Sequence, residues 1–155
     1  GTVFTIYLPA SINDLNEHEE QVEAEHKGHG KILIMDDQEI ILKMVERMLN
    51  NMGYHTAIAA DGAQAIEMYQ EAQTSKDSFD AVILDLTVPG GMGGLETITE
   101  LLKIDPNVKA IVSSGYSQDP IMSNYKDYGF CGTVPKPYTM GQLSEVLSNI
   151  FGENV

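Results

Sequence analysis

Six side chains in this sequence are of the types that together can handle a phosphoryl group. Asp36 and Asp37 close the run "KILIMDD", Asp85 closes "AVILD", Ser113 and Ser114 close "AIVSS", and Lys136 follows "TVP" in "TVPKPY". The runs are short and apolar, suited to burial, and a buried carboxylate is costly unless its charge is offset. Two unit charges about 4 Å apart repel by about 4 kcal/mol at an effective dielectric near 20, so three carboxylates in one pocket would cost on the order of 10 kcal/mol before relaxation. One lysine does not neutralise that. Either some of the acids keep their protons with raised pKa values, or a divalent cation sits among them. An all-oxygen donor set suits a hard ion such as Mg²⁺, which makes the metal the better reading. Beside such an ion, Asp85 can act as a nucleophile that becomes an acyl phosphate. Ser114 and Lys136 would then contact the phosphoryl oxygens.

These residues can meet only if a fold carries distant strand ends to one rim. From Lys31 onward, short apolar runs alternate with amphipathic segments. "KILIM", "YHTAIAA", "AVILDL", "VKAIVSS" and "FCGTV" read as five strands. "EIILKMVERMLNNMG", "DGAQAIEMYQEA", "LETITELLKI", "DPIMSNYKDYG" and "TMGQLSEVLSNIF" read as the helices between and after them. The first helix carries Ile41, Met44, Val45, Met48, Leu49 and Met52 at three- and four-residue steps, and Gly53 suits its end. Asp61 suits an N-cap for the second. Five β-α pairs imply an α/β fold, a doubly wound parallel sheet with helices on both faces. In such sheets ligands bind beyond the carboxyl ends of the strands, at the switch in strand order. A flavodoxin-like (βα)5 order, 2-1-3-4-5, sets the first and third strands side by side and brings Asp36, Asp37 and Asp85 together.

Composition narrows the partners. Nine basic residues face 23 acidic ones, a formal charge of −14. That argues against nucleic acid, whose phosphates select basic faces, and against direct contact with anionic membrane surfaces. No apolar run approaches a membrane span, and "GTVFTIYLPA" opens without a basic leader, so Gly1 reads as the edge of a fragment. Cys131 cannot form an internal disulfide and reads as a buried, reduced thiol in a cytoplasmic protein. Residues 1–10 alternate as a strand ended by Pro9, and residues 11–30 read as an acidic, solvated linker ending in a flexible "KGHG".

At "ILIMDD", "AVILDLTVP", "AIVSSGYS" and "TVPKPY", in that order and spacing, residues 31–151 resemble a receiver domain of the response-regulator family in two-component signalling. The resemblance implies that Asp85 is the phosphoacceptor, and that Asp36, Asp37, Asp85 and the backbone carbonyl of Thr87 hold Mg²⁺. It further implies that Ser114 fills the family's Ser/Thr position, with small Gly115 leaving room beside it. Lys136 becomes the phosphate-contacting lysine, its bond to Pro137 often cis in the family. Phosphorylation would shift a conformational equilibrium felt at the fourth strand, fourth helix and fifth strand. Two departures stand out. The "PGGMGG" loop is one residue longer than the commonest pattern, and Thr133 occupies the place of the aromatic switch residue.

"GTVFTIYLPA" is similar to the last strand of a histidine-kinase ATP-binding domain. With the linker and a receiver over 31–155, it implies the end of a hybrid sensor histidine kinase. The phosphoryl donor would then be a phospho-histidine domain, and a histidine phosphotransfer protein a further partner. Such a receiver is catalytic only toward its own modification. Two alternatives stand beside this reading: a receiver kept only as an interaction module, and a Mg²⁺-dependent aspartyl phosphatase of the dehalogenase-like kind. The latter would need an acid two residues after Asp85, where Thr87 stands. Several features have plainer readings. Asp36 or Asp37 can cap the helix that follows. The glycines of "PGGMGG" lack the Lys-Ser/Thr of a phosphate loop and read as flexible. Met44, Met48 and Met52 read as core. His18, His26 and His29 read as part of a solvated linker, and His18 lacks the surroundings of a phospho-histidine. His55 opens a strand, half exposed.

Overall fold

The computed structural model describes residues 1–3, 28–75, 77–116 and 119–152. Strands β1 (Lys31–Met35), β2 (His55–Ala59), β3 (Ala81–Asp85), β4 (Ala110–Ser114) and β5 (Gly132–Pro135) form one parallel sheet in the order β2-β1-β3-β4-β5. Helices α1 (Glu39–Asn51), α2 (Gly62–Ser75), α3 (Gly94–Ile104), α4 (Pro120–Ser123) and α5 (Met140–Phe151) follow the strands in turn. This is the doubly wound order expected from the alternation of runs. Every residue of β3 and β4 is buried, as central strands covered on both faces must be.

Side chains alternate across a strand, and that alternation divides the core in two. Ile32, Ile34, Ile83, Ile111 and Val134 pack with Leu42, Val45 and Leu49 of α1 and Leu143 and Leu147 of α5. Leu33, Met35, Val82, Leu84, Ala110 and Val112 pack with Ala65 and Tyr69 of α2 and Ile98 and Leu101 of α3. Two residues beyond the first set lie Asp36, Asp85, Ser113 and Lys136. The register that buries the isoleucines is therefore the register that groups the polar residues. A one-residue slip would reverse both together.

Local signals behave largely as read. Gly53 follows the C-cap of α1 with φ +95°, and its amide donates to Asn50 O. Asp61 Oδ1 accepts from Gln64 N at 2.9 Å, capping α2. Met44 and Met48 are half-buried against the core and Met52 is buried, while Leu42, outside the expected stripe, lies deeper.

Three expectations need correction. "DPIMSNYKDYG" is not one helix: α4 has a single turn, followed by a 3-10 turn at Tyr125–Tyr128. Asp119 caps the start, its Oδ1 accepting from Ile121 N at 2.9 Å, but Asn124 turns its side chain back onto Pro120 O at 3.1 Å and leaves helical geometry. Beyond Tyr125 the segment also has little apolar surface to bury, and Tyr128 is exposed. Cys131 is exposed rather than buried, because it sits one residue before β5; its Sγ donates to Ala110 O at 3.2 Å. Gly28, read as part of a flexible end, is buried; its amide donates to Met52 O at 2.8 Å, and a Cβ there would run into the Tyr54 ring. His29 and His55 are exposed. The tail strand within 1–10, most of the 11–30 linker, and His18 and His26 lie outside the described residues.

Candidate functional site

The site is built where backbone ladders run one residue past the strands. Asp36 N donates to Ala59 O at 3.1 Å, Leu86 N to Ser113 O at 2.9 Å and Lys136 N to Ser114 O at 2.9 Å. These bonds fix the carboxyl ends of β1, β3, β4 and β5 against one another. Side-chain oxygens of Asp36, Asp37 and Asp85 thereby lie within 4.8 Å of one another. Asp36 is fully buried, Asp85 is 5% exposed, and Asp37 faces solvent.

Lys136 bridges the buried pair, its Nζ 2.5 Å from Asp36 Oδ2 and 2.9 Å from Asp85 Oδ2. The Lys136 side chain is only 11% exposed, so both contacts act in a poorly solvated setting. Asp36 Oδ1 accepts from Gln38 N at 2.9 Å. Asp36 Oδ2 has the lysine's charge beside it but takes no directed hydrogen bond. Neither aspartate caps α1, whose N-cap is Gln38 without a side-chain bond. Burial is the largest influence on Asp85 and pushes its carboxyl above the usual range; Lys136 pulls it back, the charge of Asp36 pushes it up again, and the Thr87 amide pulls it down.

Three carboxylates against one ammonium leave a net charge of −2, and every donor is a hard oxygen. An under-satisfied, fully buried Asp36 Oδ2 adds to a donor set that fits a hard divalent cation. Thr87, expected to offer its carbonyl, is exposed, and its amide is the group bonded to Asp85. Ser114 is buried at the end of β4, its Oγ accepting from Tyr116 N at 3.1 Å. A Cβ at Gly115 would meet nothing within 4 Å, so the rim is open beside Ser114. The Lys136–Pro137 bond is cis, as the resemblance implied.

The glycine-rich loop ends hard against the backbone of β3, while Gly90 at its tip lies in open space with φ +75°. A Cβ on Gly93 would collide with Leu86 O, and one on Gly94 would stand 2.7 Å from Asp85 O. Both glycines let α3 begin directly against the end of β3. Gly94→Ala is expected to destabilise the fold by about 1–3 kcal/mol, since the obstacle is backbone. Urea titration should record it as a lower midpoint with unchanged slope.

Ser113 and Tyr138 form a polar pair that motif reading passed over. Tyr138 is buried among the α1–α5 core residues, and its Oη lies 2.6 Å from Ser113 Oγ. Burial drives the Tyr138 hydroxyl well above the usual phenol range; the Ser113 hydrogen bond lowers it, and the charges of Asp36 and Asp85 raise it further. The available signal was parity: Ser113 follows Ile111 by two, on the buried face.

A family model described as the response regulator receiver domain matches residues 32–148. Sporulation initiation phosphotransferase F of Bacillus subtilis is 31% identical over 117 residues, covering 76% of this chain and 90% of that protein. Sensor kinase CckA of Brucella abortus is 29% identical over 159 residues, 97% of this chain, which spans only 16% of the kinase. In fold, the chain is similar to the receiver domain of a sensor histidine kinase from Pseudomonas aeruginosa, solved with a magnesium ion coordinated in its active-site cleft. The TM-score is 0.70 at 22% identity, covering 81% of this chain and 100% of that one. Strand order and a family match across most of the sequence agree: the chain belongs to the response regulator receiver domain family, whose members are the phosphoacceptors of two-component signalling.

Proposed function

We propose that Asp85 accepts a phosphoryl group from a phospho-histidine, within a receiver unit spanning residues 31–155, and that Asp36, Asp37 and Asp85 hold Mg²⁺ with the Thr87 carbonyl. The observation that carries this is three carboxylates within 4.8 Å, two of them buried and bridged by one lysine. A bound Mg²⁺ would neutralise charge on the phosphoryl oxygens. In the transfer, an Asp85 carboxylate oxygen forms a bond to phosphorus as the phosphorus–nitrogen bond breaks. The electron pair stays on the imidazole nitrogen, which takes up a proton. Lys136 then has a phosphoryl oxygen to pair with in place of the Asp85 charge, and Ser114 keeps its hydroxyl hydrogen to donate to another.

The parent is read as a hybrid sensor histidine kinase, with residues 1–10 as the end of its ATP-binding domain and 11–30 as a linker. Support comes from the similarity to a sensor kinase that extends over 97% of the chain. The donor is then a histidine-kinase domain and the further partner a histidine phosphotransfer protein. With a charge of −14, the chain is read as making no contact with nucleic acid or anionic lipid. Among the described residues no helix is long and apolar enough to cross a membrane; a cytoplasmic setting follows from the proposed donor.

Incubation with Mg²⁺ and acetyl phosphate, or with a phosphorylated histidine domain, should add one phosphoryl group that hydroxylamine removes. Tandem mass spectrometry should map the resulting hydroxamate to Asp85. Absence of the adduct, or its appearance on another residue, defeats the reading.

A further inference from the structure

The Ser113–Tyr138 bond lies beside the site without touching its reacting atoms. Ser113 is paired in register with Asp85, its carbonyl receives the amide of Leu86, and it directly precedes Ser114. Tyr138 stands two residues after Lys136. Lys136 itself is tied to the same place on β4, through its amide to Ser114 O at 2.9 Å. The segment carrying the lysine is thus fastened to the end of β4 twice, once by backbone before Pro137 and once by side chain after it. Only Lys136 and Pro137 lie between Pro135, which ends β5 opposite Ser114, and Tyr138.

From this double fastening we infer that Tyr138 and Ser113 are positioning residues for phosphoryl transfer, setting Lys136 and Ser114 at the spacing the transferred group requires. The inference rests on Asp85 being the phosphoacceptor. Charge-stabilising groups lose most of their value when displaced by about 1 Å. A lysine on a four-carbon stem needs its backbone held if its Nζ is to stay on two carboxylates. Packing alone does not require the bond. A phenylalanine would fill the same apolar space among Ile111, Val134 and Leu143, so the hydroxyl is the part that needs a reason. Both hydroxyls are buried, Ser113 fully and Tyr138 to 5% exposure, so water does not compete for the bond.

Three variants separate positioning from simple support: Tyr138→Phe, Ser113→Ala and the double Tyr138→Phe/Ser113→Ala. For each, the maximal rate of phosphorylation and its half-saturating acetyl phosphate concentration are measured with saturating Mg²⁺, beside thermal unfolding. Positioning predicts that each single variant lowers the maximal rate about 3- to 30-fold, as expected for misplacement of well under 1 Å. Half-saturation should stay unchanged. The double variant should be no slower than the slower single, because one bond is lost in each case. Its stability should recover relative to the worse single, since no hydroxyl is left without a partner. A rate that recovers with stability would make the pair structural and overturn the inference. So would single variants within two-fold of the wild-type rate, or losses that multiply in the double. If the wild-type chain itself forms no Asp85 adduct, the phosphoacceptor reading falls first and this one with it.

Discussion

Lys136→Met is expected to destabilise the fold by about 3–5 kcal/mol at neutral pH, the usual result of stripping one partner from a buried ion pair. Phosphorylation should slow by on the order of 100-fold or more, as on removal of a preorganised charge-stabilising group. Methionine keeps most of the stem's volume, so the loss isolates the charge. Asp36 is fully buried and Asp85 nearly so, and the lysine stands within 2.9 Å of both. Without it, Asp36 keeps the Gln38 amide and Asp85 the Thr87 amide, but the ammonium that bridges them is gone. By contrast, the Lys43–Glu39 and Lys103–Glu100 pairs lie on exposed helix faces, where removal should be nearly silent. Urea unfolding of Lys136→Met should therefore show that deficit as a lower midpoint. Millimolar Mg²⁺ should restore more stability to the variant than it adds to the wild type. A deficit under about 1 kcal/mol would mean that the bridge is ornamental.

Asp85→Asn is expected to have two effects of opposite sign: no acyl phosphate forms, yet the metal-free fold becomes more stable. The direction follows from competing influences. Lys136, 2.9 Å away, pulls the Asp85 carboxyl down and the charge of Asp36 pushes it up, but burial is the largest influence and disfavours the charged form, which is why the carboxyl is raised. A raised acid binds its proton more tightly in the folded state, so the wild type gains stability as pH falls from above that raised value toward the ordinary 3.8. The advantage of Asp85→Asn at pH 7 should accordingly fade over that window. Melting curves from pH 7 to pH 4 in chelator would show it. An Asn variant less stable than wild type throughout would mean that the lysine's attraction outweighs burial. A variant that still accepts phosphate would remove Asp85 from the chemistry.

Much of this site is legible in the sequence because parallel sheets place polar residues at the carboxyl ends of their strands. Asp36, Asp85 and Lys136 each follow an apolar run whose burial fixes the side that the next polar residue faces. The strand order comes from the flavodoxin-like pattern that five β-α pairs suit rather than from spacing alone. What escaped was information held between segments. Ser113 looked like one of two strand-end serines and Tyr138 like an aromatic after a proline. Neither reveals a partner until β4 and the segment after β5 are superimposed in space. The shortness of α4 depended on a contest at Asn124 between its side chain and the helical backbone, which periodicity does not register. Cys131 lies in an apolar neighbourhood of the sequence but falls one residue too early for the strand that would bury it. Composition does not reveal that Gly93 and Gly94, at the start of α3, let one backbone lie against another.

Gly28 is gripped under Tyr54 and bonded to Met52 O, at the opposite end of β1 from Asp36. Five residues of strand, roughly 17 Å, separate that grip from the acids. A side chain at position 28 would displace the Tyr54 ring at that remote edge, so the damage should fall on stability and leave the acid cluster where it is.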